Sequence, residues 1–279
     1  MSKVYDYVLE AIVKRLEEGD IPWKNPWNTS PAINYITRKE YRGINRLLLS
    51  GGEYLTFKQI TALKGTVKKG SKTRMVVFYL PIEKEIDGKK EKTFVLRYYN
   101  VYHIDDVENI DTKIMETNEH NTIEEAEVIL ANYLDKPEIE FKGEQAFYDV
   151  KNDYIRVPNL NKFDNPELYY STIFHELIHS TGHEKRLSRK TVTECDGFGG
   201  KKYSKEELIA EIGAAMMCGS VGIENATIEN NTAYIQNWIK ILQADKRLII
   251  HAASAAQKAA DYILKINNTI KEEDFEEVE

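Results

Sequence analysis

Cysteine is nearly absent from this 279-residue chain: Cys195 and Cys218 are the only two, too few for a disulfide-stapled scaffold. Neither has a second thiol at metal-ligand spacing, which argues against a thiolate site at Cys195. The sequence also lacks an apolar run of transmembrane length, an N-terminal apolar signal segment and a cleavage site. Its start, Met1-Ser2-Lys3-Val4-Tyr5-Asp6, leads into a charged amphipathic helix expected over roughly 2–18. Cytoplasmic residence without a membrane partner is therefore the expectation. Histidine is scarce, at 6 residues, and acidic residues are scarce in one place: positions 21–80 hold 11 Lys and Arg against only Glu40 and Glu53. The formal net charge of −7 is a sum of opposites, since residues 1–103 carry 19 basic and 11 acidic groups and the remainder carries 19 and 34.

Against that scarcity, two of the histidines stand four residues apart in His175-Glu176-Leu177-Ile178-His179. On a helix, residues i and i+4 share a face, so two imidazoles can meet one metal while the neighbouring Glu reaches a water beside it. Asp164-Asn165-Pro166-Glu167 reads as a helix start, with a side-chain cap, Pro in the first turn and an acid at the positive end of the dipole. The following run, Leu168 to His179, is mostly apolar and reads as a buried helix, and Gly182 supplies its stop. A buried helix carries His, Glu and His at a cost unless they share a partner. The cofactor expected is Zn2+ or another divalent transition metal, with His175 and His179 as ligands and Glu176 as the base.

A catalytic zinc usually takes a third protein ligand. Ser204 followed by Glu207 forms a capping-box pattern that predicts a second helix starting there. Glu207 and Glu211 share a face of it, with Ala210, Gly213, Ala214 and Ala215 allowing close helix approach. Glu207 is assigned to the metal and Glu211 to its support, because Glu207-Leu208-Ile209-Ala210-Glu211 after H-E-x-x-H resembles the third-ligand segment of zincins that use Glu. The reverse assignment stays open, and Glu206 reads as a solvated charge. His183 follows the motif too closely for a metzincin ligand and reads as an outer-shell or substrate contact. Tyr203, Tyr234 and His251 are unranked candidates for an oxyanion donor.

In the basic half, Ile21-Pro22-Trp23-Lys24-Asn25-Pro26-Trp27 reads as an extended segment after Gly19-Asp20. Aromatics interleaved with cations suit single-stranded nucleic acid, because a π-face accepts any base and cations track phosphates. The alternative is that the Trp pair clasps the first helix. Candidate contacts are Trp23, Lys24, Trp27, Arg42, Asn45, Arg46, Lys58, Lys68, Lys69, Lys72 and Arg74. The strand 75–80 is expected to pair with 94–102 across a charged turn from Glu83 to Glu91. Residues 105–119 read as an acidic linker, 123–133 as a helix, and 138–141, 147–150 and 154–158 as strands. One long helix is expected over 231–266, before a disordered acidic tail at 271–279. The fold class is α+β: a small mixed domain at 1–105, a linker at 106–122, and a mostly helical domain with a small sheet at 123–279.

These segments together resemble the ArdC family of antirestriction proteins from plasmids, phages and conjugative elements. The N-terminal likeness rests on Glu18-Gly19-Asp20-Ile21-Pro22-Trp23-Lys24-Asn25-Pro26-Trp27, Tyr41-Arg42-Gly43-Ile44-Asn45, Leu55-Thr56-Phe57-Lys58-Gln59 and Val67-Lys68-Lys69-Gly70. The C-terminal likeness rests on His175 to His183, Arg186-Leu187, Phe198-Gly199, Tyr203 with Glu206 to Glu211, and Ala252 to Tyr262. The resemblance implies a single-stranded-DNA-binding domain joined to a zincin-like metallopeptidase domain, acting in the recipient cell to protect incoming DNA from restriction. It carries over no peptide substrate; a host restriction or defence protein is the candidate offered here, for a DNA-tethered metalloprotein that blocks or removes it. Two further readings are a DNA-coating protein with a structural, non-proteolytic metal domain, and a general cytosolic zinc peptidase.

Overall fold

The computed structural model describes residues 3–24, 31–86, 89–113, 122–194, 200–223 and 232–266, with backbone alone at 81–86, 89–94 and 201. Trp27, Cys195, Phe198-Gly199 and the tail at 271–279 lie outside the described residues. The chain forms two compact units. Among the described residues the first comprises 3–12 and 31–113, and the second comprises 13–24 and 122–266 with its gaps. This division departs from the sequence expectation at both ends of the first domain: residues 13–24 go with the second unit, and 106–113, expected in a linker, belong to the first.

Helix α1 (Lys3–Glu17) buries Val4, Val8, Leu9, Ile12, Val13 and Leu16, a stripe at helical spacing, and ends where Gly19 takes φ 82°. The first unit then runs β1 (Ala32–Asn34), α2 (Ile44–Leu48), β2 (Gly52–Leu55), α3 (Phe57–Ala62), β3 (Thr66–Val67), β4 (Arg74–Ile86), β5 (Lys89–His103) and β6 (Val107–Glu108). Its four-stranded sheet has the order β1-β2-β5-β4, with β1 parallel to β2 and the rest antiparallel. Ala32, Tyr41, Leu49, Tyr54, Val76 and Val101 form the core on that sheet. The expected turn from Glu83 to Glu91 is mostly ladder: pairing continues to Ile86↔Lys89, with Glu83 opposite Lys92 and Glu85 opposite Lys90. Opposite charges at facing positions favour pairing, so a charged stretch need not be a loop.

The expected linker is also structured at its start. β6 pairs with β3, while Thr112 Oγ1 and the Lys113 N–H donate to the fully buried Glu53 at 2.7 and 2.8 Å. Glu53 also pairs with Arg38. Burial would raise its pKa, but Arg38, Thr112 and Lys113 outweigh burial and hold it below the usual carboxylate range.

The second unit contains α4 (Thr122–Asn132), β7 (Glu138–Phe141), β8 (Phe147–Asp149), β9 (Tyr154–Val157), α5 (Pro166–Thr181), α6 (Lys190–Thr193), α7 (Lys201–Ser220), α8 (Thr232–Ala244) and α9 (Leu248–Leu264). Its sheet has the order β7-β9-β8, so β8 is an edge. α5 packs on α7, and α7 on α9. Two sequence readings change here. α7 begins at Lys201, and Ser204 donates its hydroxyl to the Gly200 carbonyl at 3.1 Å instead of capping, which leaves Glu207 a full turn inside the helix. The single helix expected over 231–266 is broken at 245–247, where the Leu248 N–H returns to the Asp245 carbonyl and the Arg247 N–H to the Asp245 side chain.

Candidate metal centre and basic segment

α5 starts as its sequence dictates: Asn165 accepts the Leu168 N–H at 2.8 Å and Pro166 occupies the first turn. It stops at Gly182 as expected, though not through a left-handed cap. Gly182 has φ −76°, and a Cβ there would lie 2.3 Å from Val192 and 2.9 Å from Arg189. The glycine admits the chain that returns over the helix end. Gly213 does the same for α7, where a Cβ would sit 2.8 Å from Ile178, the residue before His179. This close crossing brings the acids of α7 to the histidines of α5.

The result is a three-residue cluster. His175 Nε2 and His179 Nε2 are 3.1 Å apart, and the two Glu207 oxygens lie 3.6 Å from the first and 3.5 Å from the second. Ligand atoms about 2.0–2.2 Å from a tetrahedral metal sit roughly 3.3–3.6 Å from one another, so the donor set and its spacing fit a divalent ion. Among the described residues, these three are the ones that could converge on a metal. They border a cavity of about 470 Å³ with Glu176, Tyr203, Phe147 and Tyr148. Of the oxyanion candidates, Tyr203 lies in that cavity and hydrogen-bonds to Glu207. Tyr234 is engaged with Glu211, and His251 is exposed next to Asp245.

Glu206, read from sequence as a solvated charge, is buried and supports the centre instead. It faces His179 Nδ1 at 3.3 Å and accepts from Arg189 Nε and Nη2 at 3.2 and 2.5 Å and from Thr191 Oγ1. A carboxylate on the far ring nitrogen fixes the tautomer that presents Nε2 to a metal. Burial would raise Glu206, yet His179 and Arg189 hold it down to about 2. Burial likewise opposes charge on His179, but Glu206, Glu207 and Glu176 outweigh it and push its pKa up to about 9. The pocket is a site built for positive charge. Arg189 also donates to the Ile178 carbonyl and to Thr181 at the end of α5. No spacing rule reveals Arg189 or Thr191, which arrive from a loop and a short helix.

Glu211 makes no hydrogen bond or ion pair to His175 or His179. Its Oε2 accepts from Trp23 Nε1 at 2.9 Å and from the Tyr234 hydroxyl, and burial raises its pKa to about 7. His183 is outside the cluster too: its Nδ1 accepts the Lys185 N–H and faces Asp153 at 3.9 Å. Neighbouring Arg186 donates to the Ser180 carbonyl at the end of α5 and pairs with Asp153.

The nucleic-acid candidates divide. Trp23 has no exposed surface, stacks edge-on against Trp238 at 6.0 Å, and is therefore removed from base stacking. Its segment, Ile21–Lys24, is a turn closed by the Lys24 N–H on the Ile21 carbonyl, not an extended strand. Asn45 is also corrected: it is buried, donating to the Val77 carbonyl and accepting the Val77 N–H at 2.9 and 2.7 Å, so it joins α2 to β4. Lys24 and Arg42 are partly buried, Arg46 pairs with Glu40, and Arg74 reaches Asp106 and the Lys72 carbonyl. Lys58, Lys68, Lys69 and Lys72 are exposed, with Lys68 Nζ on the Asp105 carbonyl. Both acids of the 21–80 stretch are internally matched, Glu53 to Arg38 and Glu40 to Arg46, so they do little to offset this surface. Tyr7, Phe57, Tyr79 and Tyr98 are exposed aromatics of the same unit, and none of them is among the candidate contacts named above.

Fold and site together define a two-domain protein whose second domain is zincin-like. A family model described as a zincin-like metallopeptidase matches residues 124–255, and one described as the N-terminal domain of the anti-restriction factor ArdC matches residues 2–121. The chain belongs to the ArdC antirestriction protein family. The crystal structure of the antirestriction ArdC protein from plasmid R388 is 32% identical; its Mn(II)-bound form covers 94% of this chain and 97% of that one with a TM-score of 0.76, and its metal-free form gives 0.74. The DNA primase TraC of Escherichia coli is 30% identical over an alignment of 291 positions that covers 93% of this chain, and the chain spans 20% of the primase. No helix among the described residues is long and apolar enough to cross a membrane.

Proposed function

We propose that this chain is an antirestriction factor that binds single-stranded DNA through its basic first unit and carries a zinc peptidase centre in its second. The observation that carries the catalytic half is the convergence of His175, His179 and Glu207, with the two Nε2 atoms 3.1 Å apart and a Glu207 oxygen within 3.6 Å of each, beside a buried Glu176 in an open cavity. A divalent metal held by those three side chains supplies Lewis-acid polarisation of a carbonyl and makes water acidic near neutral pH. Glu176 takes up the proton of the attacking water and returns it to the leaving amine. Tyr203, one turn before Glu207, turns the hydroxyl that it otherwise gives to Glu207 towards the developing oxyanion in the cavity. Strand β8 contributes Phe147 and Tyr148 to the cavity, and its side away from β9, which pairs with no other strand among the described residues, suits an extended peptide of a host restriction or defence protein. The DNA half rests on the exposed lysines at 58–72 and the exposed Phe57, Tyr79 and Tyr98.

Glu176→Gln tests this reading, because it keeps every ligand and removes the base. Metal content and single-strand affinity should persist while proteolysis falls about 10²–10⁴-fold and protection against restriction is lost. Undiminished protection would leave a DNA-coating role, with the metal domain structural.

A further inference from the structure

Glu207 and Glu211 stand four residues apart on one face of α7, and both His175 and Glu207 are close enough to act electrostatically on Glu211. One ligand position thus has two carboxylate candidates from the same helix. Local sequence does not choose between them. The choice is made by donors from elsewhere: Trp23 Nε1 and the Tyr234 hydroxyl both donate to Glu211 Oε2, and the indole nitrogen is 3.2 Å from the Tyr234 oxygen. An indole N–H donates only, so it can hold a carboxylate without competing for a metal. The holder is itself fixed. Trp23 is fully buried and packs edge-on against Trp238, which also meets the Tyr234 ring at 6.2 Å.

Trp23 lies 188 residues from Glu211 in sequence, between α1 and the strands of the first unit, and yet it is part of the second. We propose that Trp23 and Tyr234 are positioning residues that hold Glu211 out of the metal centre and leave Glu207 as its carboxylate ligand. The metal-bearing unit is completed by a residue that precedes the whole of the first unit's sheet. This proposal rests on the metal-centre reading above.

The test uses the full chain loaded with Co(II), whose visible absorption reports coordination number and ligand type. Trp23→Phe and Tyr234→Phe each remove one donor and keep the ring. Both should shift and weaken the Co(II) bands as the released Glu211 carboxylate enters the centre. In a Glu211→Ala background neither substitution should change the spectrum further, the coupling expected of residues that act through one another. Unaltered spectra in both Phe variants would overturn the proposal, as would the same change with and without Glu211, which would mark a purely structural role. Tyr234→Phe loses one hydroxyl and carries the test should Trp23→Phe not fold. A parent chain that takes up neither Co(II) nor Zn(II) would overturn the metal reading itself, and the proposal with it.

Discussion

Around the α5–α7 crossing, charged side chains converge: two histidines and Glu207 meet within 3.6 Å, and Glu206 and Arg189 brace them from behind. Along residues 58–72 of the first unit, charged side chains spread into solvent, with Lys58, Lys68, Lys69 and Lys72 exposed on a helix, a loop and its flank. Convergence under burial costs free energy unless a partner offsets it, so the first pattern implies a ligand of fixed geometry. Dispersed exposed charge costs little and suits a partner that is itself a line of charges. The two units thus differ in how sharply their residues specify a ligand.

That contrast breaks most easily at the metal. His175→Ala should lower Zn(II) affinity by more than the 10–100-fold typical of losing an outer-shell partner, measured by chelator competition, and leave single-strand affinity unchanged. A common loss of both would mean that the units are not chemically separate. A second effect is set by pH. A proton must leave His179 before a metal binds, and its pKa is pushed up to about 9, so affinity should rise about tenfold per pH unit from neutrality towards pH 9 and then level. The metal-free chain has the opposite sign. The stability from protonated His179 is fully present below the unfolded value of 6.5 and is lost as pH rises through about 9, which denaturant unfolding in chelator would register. The smallest effect is expected in the first unit. Replacing Lys68 and Lys69 with Ala should reduce the salt slope of single-strand binding by about 1.4, and an unchanged slope would remove this segment from the interface.

The metal helix was legible because its signals are local: a cap at Asn165, Pro166 behind it, and two histidines at one helical repeat. The α5 and α7 assignments survive even where their boundaries moved. Ser204 and Glu207 matched a capping box, but the helix had already begun at Lys201, so the pattern was coincidental and Glu207 was left to face His175 and His179. Thr56 and Gln59 show the same motif realised, with both reciprocal hydrogen bonds present at the start of α3. A capping box is a possibility of the sequence, and the neighbouring backbone decides whether it is used. Composition was a weaker guide in the first unit, where Trp23 and Asn45 look like contacts and are instead buried.

The sequence by itself determined that two histidines would share one face of a buried helix with a glutamate beside them, because i and i+4 geometry is a property of the backbone. It also determined the split between a basic half and an acidic half. Only the tertiary structure decided which of three neighbouring acids does what. Glu207 faces the histidines, Glu206 supports one of them from behind, and Glu211 is held by Trp23 and Tyr234. Positions 206, 207 and 211 are chemically alike in the sequence, and a carboxylate takes its role from the donors that reach it. Those donors come from Arg189, Trp23 and Tyr234, residues 17, 188 and 23 positions away from the acids they bind.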